Sequence, residues 1–259
     1  MNGRRLNMDV SRHAGRTAIV TGVASGIGKA TALRLAGEGA RVIGCDVTEA
    51  GLELTRGELA ALGAEFELVR ADVTQQPDVD RVAAAAQGTI DIVANVAGIM
   101  DHFLPLSEVD DDTWNRVLAV NLTGVMRLTR AALPVMQKAG RGAIVTVASE
   151  ASLGAGASGV AYAASKHGVI GLVRHVAFFY GPSGIRSNAV LPGPVETGIG
   201  ASAAPKSEWV MVRAQLKMAT MPPPAQPDAL ASVISWLASD EASNVNGALV
   251  TSDGGWSAA

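Results

Sequence analysis

Cysteine and histidine are scarce in this sequence. Among 259 residues there is one cysteine, Cys45, which excludes an internal disulfide and fits a reducing cytoplasm. With only four histidines beside it, no cluster at metal-ligand spacing emerges, and no metal is expected. The formal net charge is −3 and no Lys/Arg block is large enough to neutralise a phosphate backbone, so nucleic acid is not expected and small molecules are. Apolar runs fall short of the roughly 20 residues that cross a bilayer, and Gly, Ser and Arg interrupt them, so no membrane span is expected. The opening MNGRRLNMDVSRHAG is basic but lacks the apolar stretch of a secretory signal. No linker or disordered tail divides the chain, which reads as one domain over residues 1–259.

What the chain does have is 48% hydrophobic residues and 29 glycines spread along its length. Short runs rich in Val, Ile and Ala recur at 16–21, 41–46, 66–70, 91–95, 143–148, 186–190 and 248–251. They are apolar throughout, as strands buried on both faces are, and helix-like stretches separate them at 27–38, 50–62, 77–86, 111–138, 160–180 and 227–239. This β-α alternation predicts an α/β fold: one doubly wound parallel sheet with helices on both faces and ligand binding at the carboxyl ends of its strands. Residues 195–226 carry no clear strand, and Pro222, Pro223 and Pro224 stiffen their exit, so this segment reads as a lid beside the ligand crevice.

Directly after the first strand comes Thr21-Gly22-Val23-Ala24-Ser25-Gly26-Ile27-Gly28. Its glycines permit a tight turn and close approach of backbone to a pyrophosphate at a helix start. Asp46 ends the second strand, where a carboxylate can accept both ribose hydroxyls of an adenosine and repel a 2′-phosphate. Ser25, which stands where a basic residue would neutralise that phosphate, agrees, and the cofactor expected is NAD. The alternative for Asp46 is a cap on the following helix. Further along, Tyr162 and Lys166 are four residues apart on one helical face, so the ammonium is expected to lower the phenol's pKa and fit it for proton transfer.

Together, Thr21-Gly-x-x-x-Gly-Ile-Gly28, Asn95-Val-Ala-Gly98, Asn121, Ser149, Tyr162-x-x-x-Lys166 and Pro192-Gly193 resemble the short-chain dehydrogenase/reductase family over nearly the whole chain. The resemblance implies a Rossmann-like fold with a seven-stranded parallel sheet in the order 3-2-1-4-5-6-7. It also implies an NAD-dependent oxidoreductase interconverting a secondary alcohol and a ketone. Tyr162 would be the general acid/base, Lys166 would bind the nicotinamide ribose and tune Tyr162, and Ser149 would hold the substrate oxygen. Asn121 would support a proton relay through water, or only bridge backbone groups. Ser152 reads as a loop hydroxyl. On the cofactor, the family would use Gly22, Ser25, Gly26, Ile27 and Gly28 at the pyrophosphate and Asp72 and Val73 at the adenine. Asn95, Ala97 and Gly98 would lie at the nicotinamide-side ribose, with Pro192, Gly193, Val195 and Thr197 at the carboxamide; Val96 replaces the family's commoner second asparagine, and Asp91 would fix strand geometry. A homotetramer follows from the resemblance, with Trp256 as an anchor between subunits or within the chain's own core.

Candidate walls of the substrate pocket are residues 150–159, 100–103 and the lid with Trp209, Met211, Met218 and Met221; mostly apolar, they suit a hydrophobic substrate. Glu150 would meet a polar substituent or point to solvent, His102 is pocket or surface, and His167 and His175 are packing or intersubunit residues. Two rivals remain: an NADPH-dependent 3-oxoacyl thioester reductase and a non-catalytic dinucleotide-sensing protein. An adenosylmethionine-dependent transferase gives no reason for Ser149, Tyr162 and Lys166 together.

Overall fold

The apolar runs form seven strands: β1 (Thr17–Thr21), β2 (Arg41–Asp46), β3 (Phe66–Arg70), β4 (Ile92–Asn95), β5 (Gly142–Val147), β6 (Ile185–Pro192) and β7 (Leu249–Ser252). All pair in parallel, in the order β3-β2-β1-β4-β5-β6-β7. The computed structural model describes residues 11–199 and 204–258; the basic residues 1–10 and lid residues 200–203 lie outside that range.

Burial on both faces explains why the strands do not alternate. Ala18 and Val20 of β1 pack in one layer with Leu35 of α1 (Gly26–Gly37), Leu52 of α2 (Glu49–Ala61) and Leu230 and Ile234 of the last helix, α8 (Pro227–Ala238). Ile19, between them, faces the other layer with Val79 of α3 (Gln76–Ala85) and Leu128 and Met136 of α5 (Val125–Ala139). Helix α6 (Val160–Tyr180) packs Val169 and Val173 against Ala189 and Leu191 of β6.

One expectation needs correction. The helix foreseen over 111–138 is α4 (Asp111–Leu118), then a wider π-helical stretch, Ala119–Gly124, then α5. A single inserted residue is invisible to apolar spacing. Segment 195–226, for which no element was foreseen, contains α7 (Glu208–Met218), and a bridge from Val195 to Ala225 closes its ends. No helix among the described residues is long and apolar enough to cross a membrane.

Candidate active site

Strand order reverses between β1 and β4, and a cavity of about 670 Å³ opens at the carboxyl ends of the strands there. The Thr21 hydroxyl, which the sequence reading passed over, joins the two strand ends by accepting from Val96 N (2.9 Å) and Ala97 N (3.0 Å). Gly28, in the first turn of α1, packs against the glycine turn: a Cβ there would sit 2.0 Å from Gly22 O, so no side chain is tolerated. Gly22, Ser25, Gly26, Ile27 and Gly28 all line the cavity, as do Asp46, Asp72, Val73, Ala97, Gly98, Pro192, Gly193, Val195 and Thr197. Asp46 accepts from Ala24 N (3.1 Å) and Thr48 N (2.9 Å), bracing the glycine turn and the entry to α2 while facing the cavity. Asp72 accepts from Thr74 N (2.8 Å). Asn95 does not line the cavity; its amide is buried and donates to the hydroxyls of Thr129 (3.2 Å) and Thr146 (3.4 Å). Asp91 accepts from Thr17 N (2.9 Å) and pairs with Arg141 (2.9 Å), which bears out its part in strand geometry.

At the far end of the cavity stand Ser149, Tyr162 and Lys166. The 3.6-residue repeat of α6 brings the Lys166 Nζ to 5.5 Å from the Tyr162 ring centre, and Nζ donates to Val147 O (2.8 Å). Ser149, just past β5, accepts from Ala151 N (3.1 Å) and hydrogen-bonds the phenol. The expected depression of the phenol's pKa is absent. Burial pushes Tyr162 up to about 12, with the Ser149 bond opposing and the Asp101 charge adding to the rise. The same burial pulls Lys166 down to about 8. Desolvation thus dominates the phenol, and the Lys166 ammonium gives its hydrogen bond to a carbonyl instead.

Asn121 lies fully buried in the π-helical stretch and does not line the cavity. Its Oδ1 accepts from Ile99 N (2.9 Å) and its Nδ2 donates to Ile99 O (2.9 Å) and Ser165 Oγ (3.1 Å). The side chain therefore bridges α4–α5 to the segment after β4, not groups of its own helix. It still converges with Lys166: a Cβ on Gly98 would lie 3.4 Å from Asn121 Oδ1 and 3.6 Å from Lys166 Nζ. Ser152 donates to Lys166 O (3.1 Å), a brace on α6.

Glu150 does not point to solvent. It is 3% exposed and pairs with Lys217 of α7 at 2.7 Å. Lys217 also stands 5.0 Å over the Trp256 ring, whose indole N–H donates to Lys217 O (3.1 Å), so Trp256 is held within its own chain. Lid helix, post-Ser149 turn and C-terminal segment are thus tied together by one lysine. Met100, Phe103, Met218, Met221 and Trp256 wall the cavity, whereas Met211 and Trp209 do not; Trp209 is exposed and bonds Glu108. His102 is off the wall, against Ala204 O (3.1 Å); His167 bonds Ala163 O (2.9 Å) and His175 stacks on Phe179. Thr21, Asp101 and Lys217 escaped the sequence reading.

A family profile described as "Enoyl-(Acyl carrier protein) reductase" matches residues 22–257. The chain is also 41% identical, over 97% of its length and 100% of the relative's, to a 3beta-hydroxysteroid dehydrogenase 2 of Eggerthella lenta. It belongs to the short-chain dehydrogenase/reductase family. This dehydrogenase/reductase is likewise 41% identical to a cis-4-hydroxycyclohexanecarboxylate dehydrogenase of Sinomonas cyclohexanicum, covering 95% of this chain and 98% of that one. A crystal structure of a putative NAD(P)-dependent gluconate 5-dehydrogenase from Beutenbergia cavernae, with bound NADP, superposes with a TM-score of 0.84 at 37% identity, covering 95% of this chain and 98% of that one. The family is one of oxidoreductases that use nicotinamide dinucleotides, and its members named here as hydroxysteroid and hydroxycyclohexanecarboxylate dehydrogenases support alcohol/ketone interconversion.

Proposed function

We propose that this chain transfers hydride between NAD and an apolar, alicyclic secondary alcohol or its ketone, with Tyr162 as the proton-transfer group. The observation that carries the reading is the meeting of Ser149, Tyr162 and Lys166 in the same cavity as the glycine turn and Asp46. Those residues fit a dinucleotide: the turn brings backbone amides of the α1 start to the cavity, and Asp46 offers a carboxylate where a ribose would lie. The cofactor supplies the hydride acceptor or donor when bound. Lys166 is the sole lysine or arginine among the described residues lining the cavity, so nothing there offsets the repulsion between Asp46 and a 2′-phosphate; this supports NAD over NADP.

In ketone reduction, Ser149 and Tyr162 hydrogen-bond the substrate oxygen and Tyr162 Oη gives up its proton as charge develops there. Burial keeps that proton on the phenol until it is needed. In alcohol oxidation the phenolate takes the proton, and the Lys166 ammonium stabilises it. Asn121 would hold a water that passes the proton on towards Lys166. The walls of Met100, Phe103, Met218, Met221 and Trp256 favour an apolar ring, in keeping with the steroid and cyclohexane substrates named for the two relatives. The assembly we expect is a homotetramer in the cytoplasm.

The test is a titration with NADH and with NADPH, followed by energy transfer from the protein's tryptophans to the nicotinamide, then a screen of alicyclic alcohols with the tighter cofactor's oxidised form. NADH preference and reduction of NAD by such an alcohol would support the reading. Preference for NADPH would replace it with the 3-oxoacyl thioester reductase, and binding without turnover on any alcohol would favour a dinucleotide sensor.

A further inference from the structure

Helix α6 carries both Tyr162 and Lys166, so the placing of its first turn decides where the phenol stands. Its N-cap, Gly159, has no side chain to satisfy the free amides of that turn. Asp101, in the loop after β4, does so from a distance. The residue is fully buried, and its carboxylate accepts from Gly159 N (3.0 Å) and Tyr162 N (2.9 Å). The second of these is the amide that an N-cap aspartate would itself take in an ordinary helix start. Gly159 is part of the device: a Cβ there would lie 2.6 Å from each carboxylate oxygen and 2.5 Å from Leu104 N.

The loop is held in a costly conformation. His102 and Phe103 both have φ of 56°, a left-handed geometry that costs a non-glycine residue roughly 1–2 kcal/mol each. Hydrogen bonds fix it at both ends: Val160 N to Leu104 O (3.0 Å), and Lys206 N of the lid to His102 O (3.0 Å). Strain that persists beside a reactive group points to a use. Here the bend lets the carboxylate of Asp101 reach the helix start while Phe103, two residues on, lines the cavity.

We propose that Asp101 is a positioning residue for Tyr162: a buried carboxylate that caps the catalytic helix from outside and so fixes where the phenol stands. The inference rests on the reading of Tyr162 as the proton-transfer group. The groups facing the phenol are the Lys166 ammonium from its own helix, the neutral Ser149 hydroxyl from the segment after β5, and the Asp101 charge from the loop after β4. Only the last disfavours the phenolate, and the Asp101 charge does raise Tyr162. Helix-cap bonding and the field of the charge therefore act on the same side chain.

The test is Asp101→Asn, which keeps one accepting oxygen, turns the other into a donor facing an amide N–H, and removes the charge. Three readings are taken: amide hydrogen exchange over 159–163, NADH affinity by fluorescence, and the pH profile of kcat for alcohol oxidation. Exchange in that turn should quicken by roughly tenfold or more with the rest of α6 unchanged, since one cap bond is lost. NADH affinity should hold within about twofold, ketone-reduction kcat should fall by roughly tenfold or more, and the rising limb of the oxidation profile should move to lower pH because the phenolate is no longer opposed. Asp101→Ser, neutral and with one oxygen on a shorter side chain, should lose protection in that turn at least as far and show the same shifted limb, and it gives the same reading should the Asn variant fail to fold. An unmoved limb in the soluble variant, or a fall in kcat that merely tracks lost folded protein, overturns the proposal. Hydrogen exchange reports the capping even in a chain that turns over no alcohol. Failure of the proposed activity is therefore distinguishable from failure of this inference, and retained turnover in Tyr162→Phe would sink the former alone.

Discussion

Lys166 and Tyr162 stand close together where water does not reach, and each is shifted by burial against its charged form. For the lysine the shift has a sign that can be followed in stability. Its ordinary value of 10.5 falls to about 8 in the folded chain, so between those pH values the unfolded chain holds a proton that the folded chain lacks. This site's contribution to stability therefore rises with pH across that window. Lys166→Met should flatten the dependence of Tm on pH from about 8 to 10, measured by thermal melts, while abolishing turnover. Tyr162→Phe should lower kcat by about 10²-fold or more with NADH affinity retained, because only the proton path is cut. Asp46→Ala should weaken NADH binding and narrow the gap to NADPH by roughly tenfold, read by the same fluorescence titration. These residues were legible because each sits in a short local pattern: a glycine turn, a strand end, an i, i+4 pair. Asp101 was not, since its partners lie 58 and 61 residues away and a lone Asp in a loop carries no spacing signal.

The lid shows the same divide at the level of elements. Ser207 and Glu208 before a stretch free of Gly and Pro mark the start of α7, a signal that reading the missing strand and the proline run as a lid leaves unused. Its fastening could not be foreseen, because Lys217 meets Glu150 and Trp256 only when β5, the lid and the C-terminal segment have been brought together. Breaking a buried pair by removing one partner leaves an uncompensated charge, so Lys217→Met should free α7. The expected outcome is a KM for the alcohol raised by about tenfold with NADH affinity unchanged, and faster proteolytic cleavage within 204–225. The π-helical stretch escaped for a different reason: apolar periodicity continues on either side of it, and what holds the extra residue is the long-range bridge from Asn121 to Ile99.

For the molecule as a whole, the parallel sheet with helices on both faces was the most legible feature. Apolar runs alternating with helices pointed to one doubly wound parallel sheet, and the order within it, which the family resemblance implied, is the order observed. A ligand that binds only the folded chain raises Tm by mass action. NADH at 100 times its dissociation constant should add about 2.7 kcal/mol, roughly 5–10 °C for a chain of this size, with a smaller shift for NADPH at the same concentration. The parallel sheet also divides the surface in two. The long excursions, 96–110, 148–159 and 193–226, all leave the carboxyl ends of the strands, while at the opposite edge helices return to strands through turns such as 62–65 and 140–141. A molecule tethered to a solid support through one of those turns would present its cleft outward, whereas attachment through 148–159 would bury it. The fold thus comes with a natural underside for immobilisation, one that bears no part of the chemistry.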